Sequence, residues 1–182
     1  MDDFEAITRL QRGDTAGLTF LVQRYQARAV QTAYLITQDR TTAEDVVQGT
    51  FVQIYHSIQH IDPRRPFPPY LFKSVMNAAV RAARRDQRDF SLDEDNGVES
   101  FAERLPDSAP GLDDEAEHAE LREQVRGALA QLSPEQRAAV VLRYFLDFSE
   151  AEMAHALDAP AGTIKWRLHT ARKRLRSLLG EG

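Results

Sequence analysis

The sequence predicts an all-α protein of two small helical domains joined by an acidic flexible linker, on three observations. Apolar residues recur at helical spacing through most of the chain, and no strand-length segment alternates apolar with polar residues. Two serine-led capping boxes, Ser133-Pro134-Glu135-Gln136 and Ser149-Glu150-Ala151-Glu152, mark helix starts.

Taken in order, residues 2 to about 12 suit a short amphipathic helix with Phe4, Ile7 and Leu10 on one side and Gly13-Asp14 as its stop. From about 15 to 36, Leu18, Leu21, Val22, Tyr25, Ala29, Ala33 and Ile36 keep helical period, which Gln38-Asp39-Arg40 breaks. Thr42-Ala43-Glu44-Asp45 is expected to open the next helix, whose buried side is Val46, Val47, Thr50, Phe51, Ile54, Tyr55 and Ile58. Four prolines in Asp62-Pro63-Arg64-Arg65-Pro66-Phe67-Pro68-Pro69 then predict a stiff, basic loop carrying one aromatic ring. A helix is expected from near Tyr70 to about Arg88, with Leu71, Val75, Ala78, Ala79 and Ala82 inward and Lys73, Asn77, Arg81, Arg84, Arg85 and Arg88 outward.

Residues 89 to about 114 hold few large apolar side chains and no sustained period, and predict a linker. As a flexible coil it would span about 30 Å, close to one turn of duplex DNA, ~34 Å. Helix resumes near Glu115 and runs to Leu132, and the Ser133 box opens another helix whose apolar run, Val140 to Leu146, forms the core of the second domain. After the Ser149 box comes a short helix to about Leu157, with Met153, Ala154 and Leu157 as its apolar edge. Asp158 tolerates the left-handed backbone that ends such a helix, and Pro160 suits the start of the next.

That last helix carries Ile164, Leu168, Ala171, Leu175 and Leu178 as one stripe and Trp166, His169, Thr170 and Lys173 opposite, flanked by Lys165, Arg167, Arg172, Arg174 and Arg176. Helix, tight turn, basic helix is the pattern of a helix-turn-helix, which holds its second helix out for a DNA major groove.

Charge is segregated. The net value of -5 conceals a middle segment, residues 86–123, with 14 acidic and 3 basic side chains, between two basic flanks. The absence of cysteine excludes disulfides, thiolate catalysis and cysteine-ligated zinc. The acidic start, Met1-Asp2-Asp3-Phe4-Glu5, lacks signal-peptide order and no apolar run reaches membrane-spanning length, so a cytoplasmic protein is expected. His56 and His60 stand one helical turn apart without a third ligand, and read as surface histidines. With no catalytic triad, phosphate loop or paired carboxylates, we expect no enzyme, no cofactor and no metal.

With these pieces in place, the chain resembles a bacterial sigma factor of the extracytoplasmic-function (ECF) group over nearly its whole length. Ala43-Glu44-Asp45-Val46-Val47-Gln48-Gly49-Thr50-Phe51 is similar to the polymerase-binding helix of sigma region 2. Pro66-Phe67 through Tyr70-Leu71, then Asn77 and Arg84-Arg85, is similar to that region's promoter-melting segment. Leu132-Ser133-Pro134-Glu135-Gln136-Arg137, Leu142-Arg143-Tyr144, and Gly162-Thr163-Ile164-Lys165 with Arg167-Leu168 and Ala171-Arg172 resemble sigma region 4. Five positions depart from the usual pattern: Gly49 where an acid is common, Tyr70 where tryptophan is, Arg81 where aspartate is, Asp158 where glycine is, and Thr170 where arginine is.

The resemblance implies a region 2-like domain over 1–88, an acidic linker over 89–114 and a region 4-like helix-turn-helix domain over 115–182. It implies binding to core RNA polymerase through Asp45, Gln48 and Phe51, with Phe51 more a core residue than a contact. The −10 element would be held and melted by Arg64, Arg65, Phe67, Tyr70, Lys73, Asn77, Arg81 and Arg84. The −35 element would be read through Thr163, Lys165, Trp166, Arg167, His169, Thr170, Arg172 and Lys173, with Trp166 equally suited to packing on a neighbouring helix. Promoter DNA, core polymerase and an anti-sigma factor are the expected partners. Two rival readings are a sigma-like decoy that sequesters an anti-sigma factor and an ordinary helix-turn-helix regulator. Two basic faces argue against the first, and the second leaves the first domain without a purpose.

Overall fold

A computed structural model of the chain describes residues 1–92 and 112–180. Its elements are α1 (Asp3–Gln11), α2 (Ala16–Thr37), α3 (Arg40–Ser57), a 3₁₀ turn at Ile58–His60, α4 (Phe67–Leu92), α5 (Leu112–Ala130), α6 (Pro134–Val140), a π-helical turn at Val141–Phe145, α7 (Glu150–Ala156) and α8 (Ala161–Leu179). Among the described residues there is no strand. Most of the segment expected as a linker lies outside the described residues; α4 runs past Arg88 to Leu92, and α5 begins at Leu112, ahead of Glu115.

Short-range chemistry sets most helix ends. Both serine boxes form: Ser133 Oγ accepts from the Gln136 N–H and Ser149 Oγ from the Glu152 N–H, while the Gln136 and Glu152 side chains accept from the backbone N–H of the cap serines. Two starts differ from expectation. α3 begins at Arg40, before Thr42, because the Asp39 carboxylate caps it by accepting the Thr42 N–H at 2.7 Å, just after Gln38 has ended α2 in a left-handed conformation (φ 61°). α4 begins at Phe67, before Tyr70, because Pro68 and Pro69 occupy its first turn, where no backbone N–H is needed for an intrahelical bond.

The first domain is a bundle in which α2 packs on α1, α3 and α4, around Leu21, Ile36, Val47, Ile54, Leu71 and Met76. α1 lies very close on α2, since a Cβ at Gly17 would strike the backbone of Ala6. Two expected core residues are outside: Phe4 is 51% exposed and Tyr55 42%. Helical period places both at the margin of their stripes.

The second domain packs α6 and α7 against α8 over Leu142, Met153, Ile164 and Leu168, and α5 against α8 over Leu129, Leu132, Val140 and Ala171. Ala171 of the α8 stripe is also buried, whereas Leu178 is 46% exposed near the helix end. The two domains share a core. α4 meets α6 and α7, α2 meets α6 and the π turn, and Phe72, unanticipated as an inward residue, is buried at 3% exposure. The Arg28 guanidinium lies over the rings of Phe72 and Phe145, 5.5 and 5.9 Å from their centroids, and donates to the Phe145 carbonyl at 3.3 Å.

Candidate nucleic-acid interface

The helix-turn-helix takes the expected form. Asp158 ends the α7 turn with φ 48°, the Ala159 N–H closes it onto the Ala154 carbonyl at 3.0 Å, and Ile164 and Leu168 bury α8 against α7 and α6. The other side of α8 is therefore offered to solvent. Trp166 is 63% exposed; Lys165, His169, Arg172 and Lys173 are exposed beside it, and Thr163, Arg167 and Thr170 are half-buried at its margins. Two of the cations are tethered. Lys165 Nζ is 3.8 Å from the Glu150 carboxylate, and Arg172 Nε donates to the Tyr144 hydroxyl at 2.7 Å with its guanidinium over that ring.

In the first domain the proline-rich loop is built from the inside. Gln11 Nε2 donates to the carbonyls of Ile58 and Ile61 at 3.0 and 2.8 Å, tying the loop to α1. Asp62 turns it by accepting the Arg64 N–H at 3.0 Å. Arg64 and Arg65 stand exposed, and Tyr70 is 39% exposed. Phe67 is 1% exposed, its ring 5.6 Å from that of Tyr25, so it anchors the loop from beneath and does not present a ring to a ligand. An amphipathic helix start drew it inward, a packing outcome that its neighbours in sequence do not reveal.

The remaining residues assigned to the −10 element divide. Lys73, Asn77 and Arg84 face the second domain: Lys73 Nζ lies 3.4 Å from His155 Nε2, Asn77 Nδ2 donates to the Ala156 carbonyl at 3.1 Å, and Arg84 is ion-paired with Glu135. Burial pushes the Glu135 carboxyl up, but hydrogen bonds from its own backbone N–H, Arg84 and Ser133, with the Arg84 charge, outweigh it and hold the group below the usual range. Arg81 faces away into a cleft between α3 and α4 that also receives Arg84, Arg85 and Arg88.

The residues assigned to polymerase do not share one surface. Gln48 is exposed and lines an open groove of about 570 Å³ between α2 and α3, whose walls are largely apolar: Leu18, Val22, Val47, Val52 and Tyr55. Asp45 is exposed on the α3–α4 side instead. Phe51 is 6% exposed and belongs to the core, so it forms the groove floor. Sequence reasoning missed the groove's contribution from α2 and the Arg28 sandwich; the latter joins residues 117 positions apart and leaves no local signal. Among the described residues no three His, Asp or Glu side chains are grouped to hold a metal, and no helix is long and apolar enough to cross a membrane.

Residues 21–89 match the family model for sigma-70 region 2 and residues 122–175 that for sigma-70, region 4. The chain is 33% identical to the RNA polymerase sigma factor CarQ of Myxococcus xanthus, over 88% of this chain and 83% of that protein. The chain belongs to the sigma factor family. Within it the ECF group is its place: it is 28% identical to the ECF RNA polymerase sigma factor SigW of Bacillus subtilis over 95% of this chain and 94% of that one. Among solved structures, CnrH in complex with the cytosolic domain of CnrY superposes with a TM-score of 0.67 at 25% identity, covering 97% of this chain and 96% of that chain. This ECF sigma factor is therefore similar to its relatives across both domains.

Proposed function

We propose that this ECF sigma factor binds core RNA polymerase, recognises −35 and −10 promoter elements and opens the DNA between them and the start site. The observation that carries the reading is the exposed side of α8, where Trp166, His169 and Lys173 stand among cations on a helix whose opposite side is committed to the core through Ile164, Leu168 and Ala171. In this reading the second domain, residues 115–182, reads the −35 element. Lys165, Arg167 and Arg172 serve phosphates, with Thr163 and Thr170 at the edges of the same face.

The first domain, residues 1–88, binds polymerase through the α2–α3 groove around Gln48, with Asp45 on the far side of α3. Arg64, Arg65 and Tyr70 receive the separated −10 strand: a basic loop and an exposed ring are what an unstacked base and its phosphate require. Lys73, Asn77 and Arg84 join them once the second domain leaves α4, so promoter engagement and opening of the two domains are one event. An anti-sigma factor that holds the domains together would block both, and the likeness to CnrH, solved in complex with the cytosolic domain of CnrY, supports a protein partner for this chain. The protein works in the cytoplasm, as an accessory to polymerase and not as an enzyme.

Run-off transcription on pooled genomic fragments with bacterial core polymerase tests this. New RNA 5′ ends that appear only with the protein and share upstream motifs at two fixed positions are expected. Folded protein and active polymerase without new starts would overturn it.

A further inference from the structure

Tyr70 is an exposed ring at the head of α4, and it is backed by two others. Three positions earlier on the same side of the helix, the buried Phe67 ring lies 6.4 Å from it, tilted by 42°. Phe67 in turn lies 5.6 Å from the ring of Tyr25 on α2, tilted by 51°. Both separations fall in the range where tilted aromatic pairs attract beyond the area they bury. A run of three rings therefore leads from the contact between α1 and α2 out to the surface.

The inner end of the run is tied down. The Tyr25 hydroxyl donates at 2.5 Å to the carboxylate of Asp3, in the first turn of α1. The Arg24 guanidinium lies 5.6 Å from the Tyr25 centroid and 3.7 Å from the other Asp3 oxygen, so ring and carboxylate share one cation. Burial, the hydrogen bond and the Asp3 charge push the phenol up to about 12, so it keeps its proton at neutral pH and remains a donor. At the outer end, Pro68 and Pro69 fix the backbone between Phe67 and Tyr70. Among the described residues no hydrogen bond holds the Tyr70 hydroxyl, so packing sets the orientation of its ring.

We propose that Asp3 and Tyr25 are positioning residues for promoter opening: through Phe67 they hold the Tyr70 ring where an unstacked −10 base meets it. The inference rests on the reading of Tyr70 as the ring that receives the separated strand, and adds to it two residues from another part of the fold. Neither is suited to bind DNA itself, since Asp3 is an anion and the Tyr25 hydroxyl is turned onto it. A base leaving the stack loses its neighbours, and a ring already in place replaces them without losing rotamer freedom of its own. A ring free to swing must be ordered at that moment, and opening slows.

The test compares the rate of the first run-off transcript, with bacterial core polymerase and the full chain, on two templates. One is a duplex promoter; the other is the same promoter with its −10 region pre-opened by mismatches. Tyr25→Leu, which stays apolar but lacks the ring, should slow the duplex reaction roughly three- to tenfold. Tyr25→Phe and Asp3→Ala cut only the tether and should each slow it by a smaller factor, and together no further than either alone. On the pre-opened template all of them should match the parent, because opening is already done. In a Tyr70→Ala background none should slow the duplex reaction further. A purely structural role would lower activity on both templates and in both backgrounds, and that result would overturn the proposal. So would duplex rates equal to the parent's in Tyr25→Phe and Asp3→Ala, two variants that leave the three rings in place and decide the matter even if Tyr25→Leu does not fold. A parent chain that starts no transcript on either template strikes the sigma reading and this inference with it, whereas a normal parent with normal variants strikes this inference alone.

Discussion

Arg84 near the end of α4 is ion-paired with Glu135 in the first turn of α6, 51 positions along the chain. The pair joins the two domains across the surface that the proposed function assigns to the −10 strand. With side-chain exposures of 52% and 21% it lies in partial contact with solvent, so its coupling energy in a double-mutant cycle of Arg84→Ala and Glu135→Ala is expected at about 0.2–1 kcal/mol. Because the folded carboxyl is held low, the contribution is complete above the ordinary glutamate range and is lost as pH falls through the lowered value. Fluorescence energy transfer between labels on the two domains, followed from neutral to acid pH, should show the contact loosening in the parent at a pH where Glu135→Gln shows no such step.

Gly17 sets how closely α1 lies on α2. Gly17→Ala would push a methyl group into the Ala6 backbone, which cannot turn aside as a side chain could, and should destabilise the protein by about 1–3 kcal/mol. At Gly127 an added methyl group would meet nothing within 4 Å, and Gly127→Ala should instead gain about 0.5–1 kcal/mol. Urea denaturation of the two variants reads both signs in one experiment.

The Tyr25 hydroxyl donates to the Asp3 carboxylate at 2.5 Å, and burial, that hydrogen bond and the Asp3 charge push its pKa up to about 12. A phenol whose folded pKa is raised stabilises the fold below its ordinary value near 10, and this contribution is lost as pH rises toward 12. Thermal melts at alkaline pH should therefore show a steeper loss for the parent than for Tyr25→Phe.

Phe67 and Tyr70, three residues apart, should separate structure from DNA opening. Phe67→Ala removes a buried ring and should cost about 3–5 kcal/mol of stability. Tyr70→Ala, at an exposed position, should stay within about 0.5 kcal/mol of the parent while lowering permanganate reactivity of promoter thymines in the polymerase complex. A Tyr70 variant that opens promoters normally would remove this residue from the proposed melting role.

What the sequence determined by itself was whatever depends on neighbours within a turn or two. The serine boxes at Ser133 and Ser149, the left-handed Asp158 and the Ile164–Leu168–Ala171 stripe were legible because a cap or a helical face is decided by residues three or four positions apart. The Asp39 cap was as local but was hidden by the competing Thr42 signature. Tertiary structure alone decided that Phe67 turns inward, that Tyr55 stays out, and that Phe72 and Arg28 join the seam between the domains. It also decided that Lys73 and Asn77 face the second domain while Arg81 and Gly49 share an open cleft. A basic helix looks the same from every side in a sequence; only packing against a partner far along the chain determines which of its arginines are covered and which are left to bind.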